Sequence, residues 1–329
     1  MRPNLHPRLV NGRFGDPAVY VEMLHRKGAF LFDMGDLSAL SARDLLRISH
    51  VFVSHVHIDH FVGFDHLLRV CVGREKRIEM VGPPGFAARV HHKLQAYEWD
   101  LVDRYDADLV FDVVEAPTGR ASRFRFKNRF AHEDSGEREL QDGVVARAAG
   151  LEVRTALLEH HGPCLGFTVI EEAHANVWKN RLDDRGIRPG QWLQALKQAV
   201  LEGTADDLPI VLPGGGTVPL GSLRDVVSIG AGQKIAYVTD VADTAANRAA
   251  IADLARGADI YFLESCFAAD DTERAAARAH LTTRAAGEIG RAAGARRLEP
   301  FHFSPRYEGE EERMLAEVEA AFSGRSASR

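Results

Sequence analysis

Six consecutive residues carry four side chains of the kinds that bind metal ions. The segment His55-Val-His57-Ile-Asp59-His60 holds three imidazoles and one carboxylate. These groups suit zinc, and alternate residues of an extended loop can face one ion. Four such ligands exceed what one catalytic ion with an open position requires, so the spacing indicates two metals. A lone histidine is usually a satisfied polar residue, but four ligand types within six residues are hard to explain that way.

Most of the other candidate ligands follow apolar runs that predict strands. His160, Asp240, Glu264 and His302 each come at such a strand end. Strand ends in layered α/β folds meet along one edge, where sites form. We therefore expect two zinc shells, with Asp240 as the shared ligand and a hydroxide between the ions as the nucleophile. The expected ligands are His55, His57, Asp59, His60, His160, Asp240 and His302.

Strands and helices must alternate along the chain to position these groups. Apolar periodicity and turn residues predict strands over 29–33, 51–53, 77–81, 109–114, 151–158, 165–170, 234–239, 259–263 and 297–301. Helices are predicted over 42–46, 61–70, 86–97, 272–278, 283–293 and 308–322, with one more ending at 255. Ser38 or Ser41 is expected to cap the first helix, and Asp243 or Thr244 the helix that ends at 255. The alternation predicts a layered α/β fold.

Residues 123–130 alternate between basic and mainly aromatic side chains, which predicts a half-buried strand with a basic face. That face could follow a phosphate backbone, although a solvated sheet face is the simpler interpretation.

Residues 171–226 interrupt the alternation with four prolines and the run Gly214-Gly215-Gly216. This composition predicts an inserted arm within the domain. The arm begins with a cationic stretch that could bind phosphates, and a solvated helix face explains it nearly as well. Its candidate substrate-binding residues are Lys179, Arg181, Arg185 and Arg188.

Charge, hydropathy and cysteine content bear on nucleic-acid binding, membrane association and the cellular compartment of the protein. The chain has 329 residues and a net charge of -6, from 41 Lys and Arg against 47 Asp and Glu, whereas a dedicated nucleic-acid binder is usually basic. No apolar run approaches the ~20 residues that span a bilayer, so no membrane association is expected. Three scattered cysteines and an N-terminus without an apolar core predict a cytoplasmic protein with free thiols.

Five motifs together resemble the metallo-β-lactamase superfamily and, within it, the ribonuclease Z family. They are Ser54–His60, Leu158–Phe167, Ala258–Phe267, Ala279–Thr282 and His302–Tyr307, and the resemblance runs from about residue 29 to 307. It implies a four-layer αββα sandwich as one domain over 1–329, with residues 171–226 as the family's tRNA-clamping arm. The implied substrate is precursor tRNA, cleaved at its 3′ trailer by attack on phosphorus.

The resemblance also implies roles for single residues. His160 lies six residues before Gly166-Phe167, as in the family, and is preferred over His161 as the ligand. His280 would lie at the scissile phosphate and assist the leaving oxygen, Glu264 would orient it, and Asp59 would be both ligand and acid–base group. Two zinc ions per subunit are implied, with manganese as an alternative, and so is a homodimer.

Two other functions remain open. Ile58 and Val241 replace residues usual in the family, which leaves room for a hydrolase of a small phosphodiester, cyclic nucleotide or lactone on the same fold. The second alternative is a non-catalytic, metal-dependent binding protein, against which the retained His280 argues.

Overall fold

The computed structural model describes residues 4–24 and 26–324, and its first sheet has eight strands in chain order. They are β1 (Leu5–Leu9), β2 (Val19–Met23), β3 (Ala29–Phe32), β4 (Ile48–Phe52), β5 (Lys76–Gly82), β6 (Leu109–Glu115), β7 (Arg120–Arg125) and β8 (His132–Glu137). β3 to β6 run parallel to one another, while β1, β2, β7 and β8 pair antiparallel.

The second sheet has six strands, and four shorter strands pair outside it. The strands are β9 (Val144–Ala148), β10 (Leu151–Glu159), β11 (Pro163–Glu171), β12 (His174–Val177), β13 (Pro209–Val211), β14 (Thr217–Pro219), β15 (Val227–Gly230), β16 (Lys234–Val238), β17 (Ile260–Glu264) and β18 (Leu298–Phe301). The order in the sheet is β18-β17-β16-β11-β10-β9, and β16, β17 and β18 are parallel. β12 pairs with β15, and β13 with β14.

Ten α-helices accompany the sheets in the described residues. They are α1 (Ala42–Arg47), α2 (Ile58–Phe61), α3 (Phe64–Cys71), α4 (Phe86–Leu94), α5 (Lys179–Asp183), α6 (Trp192–Leu201), α7 (Ala245–Leu254), α8 (Thr272–Ala277), α9 (Thr283–Ala292) and α10 (Glu311–Ser323). Ser41 caps α1 and Thr244 caps α7, each accepting a backbone N–H. Over residues 4–24 and 26–324, no helix has the length and apolar character that crossing a membrane requires.

The alternation of side chains along the strands builds four layers. On β4, Val51 packs with the helices of the first sheet while Phe52 faces the second sheet. On β16, Tyr237 faces the first sheet and Val238 packs with α7 and α9. Because successive side chains of a strand point to opposite faces, each sheet has one face on its partner and one on its helices. This arrangement confirms the predicted α/β sandwich.

The described residues divide into two compact units, one formed by 4–24, 26–170 and 234–324, the other by 171–233. The second unit contains α5, α6 and the strands β12 to β15, with its own apolar cluster that includes Leu182, Leu196 and Leu223. The single domain with an arm over 171–226 stays a prediction.

Two predicted elements differ in the structure. The helix expected over 61–70 is two helices, α2 and α3, separated at Val62 and Gly63. A Cβ atom at Gly63 would lie 2.1 Å from the carbonyl oxygen of Gly35, so the break lets the backbone approach the loop after β3. The strand expected over 123–130 ends at Arg125, because a 3-10 turn and the left-handed Arg129 and Phe130 follow.

Candidate metal centre

Six of the seven candidate ligands follow the carboxyl ends of parallel strands, and His160 follows the antiparallel strand β10. His55 and His57 lie after β4, and α2 then carries Asp59 and His60. Asp240 follows β16 and His302 follows β18. Asp240 and His302 have left-handed φ angles of 43° and 58°, which non-glycine residues rarely adopt. Backbone strain of this kind is concentrated at functional sites.

One group of four ligands gathers around Asp240. His55, His57, His160 and Asp240 offer donor atoms that all lie within 4.8 Å of one another. The Nε2 atoms of His55 and His160 are 3.5 Å and 3.7 Å from Oδ2 of Asp240. Three imidazoles and one carboxylate at this spacing form a donor set suited to one zinc ion.

A second group of candidate ligands also adjoins Asp240. Asp59, His60 and His302 also have donor atoms within 4.8 Å of one another. His60 Nε2 lies 3.4 Å from Asp240 Oδ2, and His302 Nε2 lies 3.5 Å from Asp59 Oδ2. Asp240 therefore adjoins both groups, and the structure brings all seven predicted ligands together.

Unpartnered buried nitrogens support a metal at this place. The Nε2 atoms of His55 and His60 and Nδ1 of His302 are buried without a hydrogen-bond partner. Nδ1 of His302 is 2.8 Å from Asp240 Oδ1, but the geometry is not that of a hydrogen bond. A buried polar atom without a partner is costly, and coordination to a cation would satisfy all three nitrogens. The residues present therefore fit a metal centre.

In His60 and His160, the ring nitrogen that does not face Asp240 lies beside a hydrogen-bond acceptor. Nδ1 of His60 lies 2.9 Å from the Asp33 carboxylate, and Nδ1 of His160 lies 2.8 Å from the carbonyl oxygen of Ala279. An acceptor at Nδ1 fixes the proton there and leaves the Nε2 lone pair for a metal. Sequence reasoning placed Asp33 at the end of the predicted strand 29–33 but gave it no role at the site. Its position at a strand end was the available signal.

The electrostatics of the group are those of a site that requires positive charge. Burial lowers the pKa of His302, but the carboxylates of Asp240 and Asp59 raise it by more, so that the pKa is about 10. Burial would raise the pKa of Asp240, but His302 and His60 hold it well below its usual range. Burial and the nearby His60 lower the pKa of His55 to about 2. Burial likewise lowers the pKa of His60, but Asp240 and Asp33 raise it well above its usual range. These carboxylates therefore favour positive charge at His60 and His302, which is the charge that a metal ion would supply.

His280 and Glu264 form a pair beside the ligands. Nδ1 of His280 is 3.1 Å from Oε1 of Glu264, which is fully buried and also accepts the Val241 N–H at 2.8 Å. Burial lowers the pKa of His280, but Glu264 raises it more, so the net shift is upward. Donor atoms of His280, Asp240 and His302 lie within 4.8 Å of one another, so a phosphate held at the centre would be within reach of His280.

Two clefts open at the centre. One, of about 380 Å³, is lined by Asp59, Asp240, His280 and His302 together with Arg278. The other, of about 340 Å³, is lined by His55, Arg89 and Gly162. His57, His160 and His161 belong to both. Sequence reasoning missed both arginines, because neither lies in a motif.

The four predicted substrate-binding residues lie on or just after α5, in the unit formed by 171–233. Arg181 donates to the carbonyl oxygen of Asp225, and Arg185 donates to the Ser222 carbonyl at 2.6 Å and to the Asp225 carboxylate. Lys179 and Arg188 are exposed, and among the described residues no hydrogen bond or ion pair engages their side chains. Substrate contact by these four residues stays a prediction.

The two arginines of the segment 123–130 that lie on β7 are paired with acids. Arg123 pairs with Asp112 at 2.7 Å, and Arg125 pairs with Asp108 at 2.7 Å. Both acids lie on or beside the neighbouring strand β6. The solvated, charge-balanced sheet face therefore explains this strip better than a phosphate track does.

Comparisons with known proteins agree with the fold. A scan against protein-family models finds no match. Ribonuclease Z of Deinococcus radiodurans is 32% identical over 316 residues, covering 93% of this chain and 92% of the relative. Ribonuclease Z of Geobacillus kaustophilus is 31% identical over 317 residues, covering 93% of this chain and 88% of the relative.

Solved structures show the same fold at lower identity. The metallo-β-lactamase fold protein YhfI of Bacillus subtilis superposes with a TM-score of 0.56 at 14% identity, covering 96% of this chain and 92% of that one. The short form of human tRNase Z gives 0.51 at 17% identity, covering 93% and 92%. The sandwich described above is the metallo-β-lactamase fold.

Proposed function

The chain belongs to the ribonuclease Z family, and on that premise we propose that it is a two-zinc endoribonuclease that removes the 3′ trailer of precursor tRNA. It is a metal-dependent hydrolase by family and fold. The observation that carries the proposal is the pair of ligand groups sharing Asp240, with His280 and Glu264 beside them. Hydrolysis of a phosphodiester needs both parts of this site. Negative charge develops on the phosphoryl oxygens, which metal ions would stabilise, and the leaving oxygen needs a proton, which His280 could donate.

The expected ligands divide into two sets. His55, His57 and His160 would hold one ion, Asp59, His60 and His302 the other, and Asp240 would contact both. When bound, the ions supply Lewis-acid charge to the phosphoryl oxygens and lower the pKa of a coordinated water. Imidazole and carboxylate donors favour zinc, and manganese is the alternative.

The protein's own groups handle the protons. Glu264 faces Nδ1 of His280, which keeps a proton on that nitrogen and favours the imidazolium. Protonated His280 can then donate from Nε2 to the departing 3′-oxygen. Asp59 is 36% exposed at its side chain while Asp240 is 4% exposed, so Asp59 is the carboxylate better placed to accept a proton from the attacking water.

The test combines elemental analysis of the purified protein with cleavage of a precursor tRNA. We expect two zinc ions per chain and a tRNA product that ends in a 3′-hydroxyl. A protein purified without transition metal, or one that carries two ions but leaves every precursor intact, would contradict the proposal.

One observation favours a second substrate class. Arg181 and Arg185 are engaged within their own unit, and the chain is acidic overall, which suits a small phosphodiester better than a large polyanion. Turnover of a chromogenic phosphodiester without cleavage of precursor tRNA would support that alternative.

Two further features remain part of the proposal. A homodimer would let the segment 171–233 of one subunit serve the other, and sedimentation would measure the mass. The three cysteines of the chain are free and buried, which suits the reducing cytoplasm.

A further inference from the structure

Two arginines flank the metal centre, one in each cleft. Arg278 lines the cleft that contains His280 and His302, and Arg89 lines the cleft on the far side of His57 and His161. His57, His160 and His161 line both clefts, so the clefts adjoin at the metal ligands. A chain-like substrate could therefore extend from one cleft into the other across these ligands.

Neither guanidinium is committed to another protein group. Within the described residues, no hydrogen bond or ion pair engages the side chain of Arg89 or of Arg278, and both residues are exposed. Arg248, in contrast, pairs with both Asp243 and Glu288. In a chain of net charge -6, an arginine left unpaired beside the centre keeps its full charge for an anionic ligand.

The second cleft has room for a nucleic-acid strand. A Cβ atom at Gly85 or at Gly162 would meet no atom within 4 Å, so there is open space beside both of these lining residues. The N–H of Ala87, in the first turn of α4, is already bonded to Glu115, whereas the Arg89 guanidinium in the same cleft has no such partner in the described part of the chain. A guanidinium can grip a phosphate with two parallel hydrogen bonds.

The proposed chemistry assigns a direction to the strand, and this step rests on the proposed function. His280 serves the leaving 3′-oxygen, and it lies in the cleft of Arg278. The leaving piece therefore occupies that cleft, and the piece that keeps the scissile phosphate extends into the cleft of Arg89.

We propose that the Arg89 cleft is a subsite for the trailer, in which Arg89 binds the first phosphate downstream of the scissile one. The substrate class that this subsite selects is a phosphodiester chain with at least one further 3′ linkage. A single phosphodiester lacks the group that Arg89 recognises.

Two synthetic esters isolate this phosphate. In both, p-nitrophenol replaces the leaving 3′-oxygen on a 5′-phosphate, which belongs to thymidine in one and to the dinucleotide TpT in the other. Only the TpT ester has a phosphate beyond the scissile one. We expect the zinc-loaded protein to prefer it in kcat/KM by about tenfold, a ratio typical of one charge-assisted hydrogen bond.

The Arg89→Gln variant should lower that preference to near one, and Arg89→Lys should restore part of it. Arg69→Gln is the matched control, since Arg69 is an exposed arginine of α3 that lines neither cleft, and it should keep the wild-type preference. Equal use of both esters by the wild type, or an unchanged preference in Arg89→Gln, would overturn the subsite. Failure to cleave precursor tRNA with the preference intact would instead remove only the tRNA assignment.

Discussion

Nδ1 of His60 lies 2.9 Å from Oδ2 of Asp33, and both side chains are fully buried. The same carboxylate accepts the Ser54 N–H at 2.7 Å and the Tyr237 hydroxyl at 2.6 Å. Asp33 follows β3 of the first sheet and Tyr237 lies on β16 of the second, so this one carboxylate joins the two sheets directly beneath the ligands. The orientation of His60 is thereby tied to the packing of the sandwich.

Asp33→Asn should weaken metal binding. The amide could still accept hydrogen bonds, but the negative charge would be lost. That charge holds the proton on Nδ1 of His60 and makes Nε2 a stronger metal ligand. Loss of such a partner typically lowers metal affinity about 10- to 100-fold. Competition with a chromogenic zinc chelator measures the affinity. Asp36→Asn is the control, because Asp36 is exposed and its side chain bonds only Ser38 among the described residues, and an equal affinity loss in both variants would contradict the assignment.

Asp240→Asn should change the number of ions held. Asp240 is the only carboxylate of the described residues that adjoins both ligand groups, so we expect the variant to keep at most one ion where the wild type keeps two. Elemental analysis after gel filtration gives the stoichiometry. Two ions retained by the variant would show that the groups do not share Asp240.

The site residues could be predicted from sequence because their spacing is local. The His55–His60 motif spans the loop after β4 and the start of α2, and His160, Asp240 and His302 each follow a strand that apolar residues mark. The residues that contact these candidate ligands could not be predicted in this way. Asp33 accepts a hydrogen bond from Tyr237, which lies 204 residues later in the chain, and Arg89 lines a cleft at the metal centre only because α4 packs there. Such partners depend on how the sheets pack, which no short pattern records.

The predictions of one helix and one strand were wrong where tertiary contacts decided the backbone conformation instead of the local periodicity. The apolar spacing of 61–70 predicted one helix, yet Gly63 breaks it because the backbone there touches Gly35. The alternation after Arg125 predicted more strand, yet Phe126 and Phe130 turn into the core of the first sheet. In both places close packing decided the backbone.

Replacing Glu264 should shift the pH profile of catalysis. In the proposed mechanism the acid form of His280 is the active one, so activity should fall as pH rises through its pKa, and the upward pKa shift caused by Glu264 should extend activity to higher pH. Glu264→Gln removes that charge while its amide oxygen can still accept the Val241 N–H. The alkaline limb of kcat should therefore move to lower pH. His280→Ala should lower kcat by roughly 10²- to 10⁴-fold.

Metal content separates this role from a structural one. Both variants should retain the ions of the wild type, since neither residue is among the seven expected ligands. An alkaline limb that stays in place in Glu264→Gln, with metal retained, would show that the pair does not set the protonation of the leaving group.

Removing Lys179 and Arg188, the two exposed candidate substrate-binding residues whose side chains have no partner among the described residues, should weaken cleavage of precursor tRNA. In Lys179→Gln/Arg188→Gln the slope of log(kcat/KM) against log[salt] should become shallower by roughly 0.9 for each phosphate that the protein no longer neutralises. Arg224→Gln is the control, because Arg224 is paired with Asp206 in the same unit. An unchanged slope in the double variant would mean that other residues bind the tRNA phosphates.

Gly63→Ala should destabilise the fold and empty the metal centre together. The N–H of Gly63 bonds the Met34 carbonyl at 2.8 Å, and an added Cβ would lie 2.1 Å from the Gly35 oxygen and 2.6 Å from Leu37. Relief of this clash must move α3 away from the loop that presents Asp33, at a cost of about 1–3 kcal/mol. Denaturant unfolding of the metal-free protein measures that cost. Gly216→Ala, where a Cβ meets no atom within 4 Å, should be nearly neutral. If Gly63→Ala unfolds at the wild-type midpoint and keeps both ions, the packing between the two loops does not hold Asp33 in place.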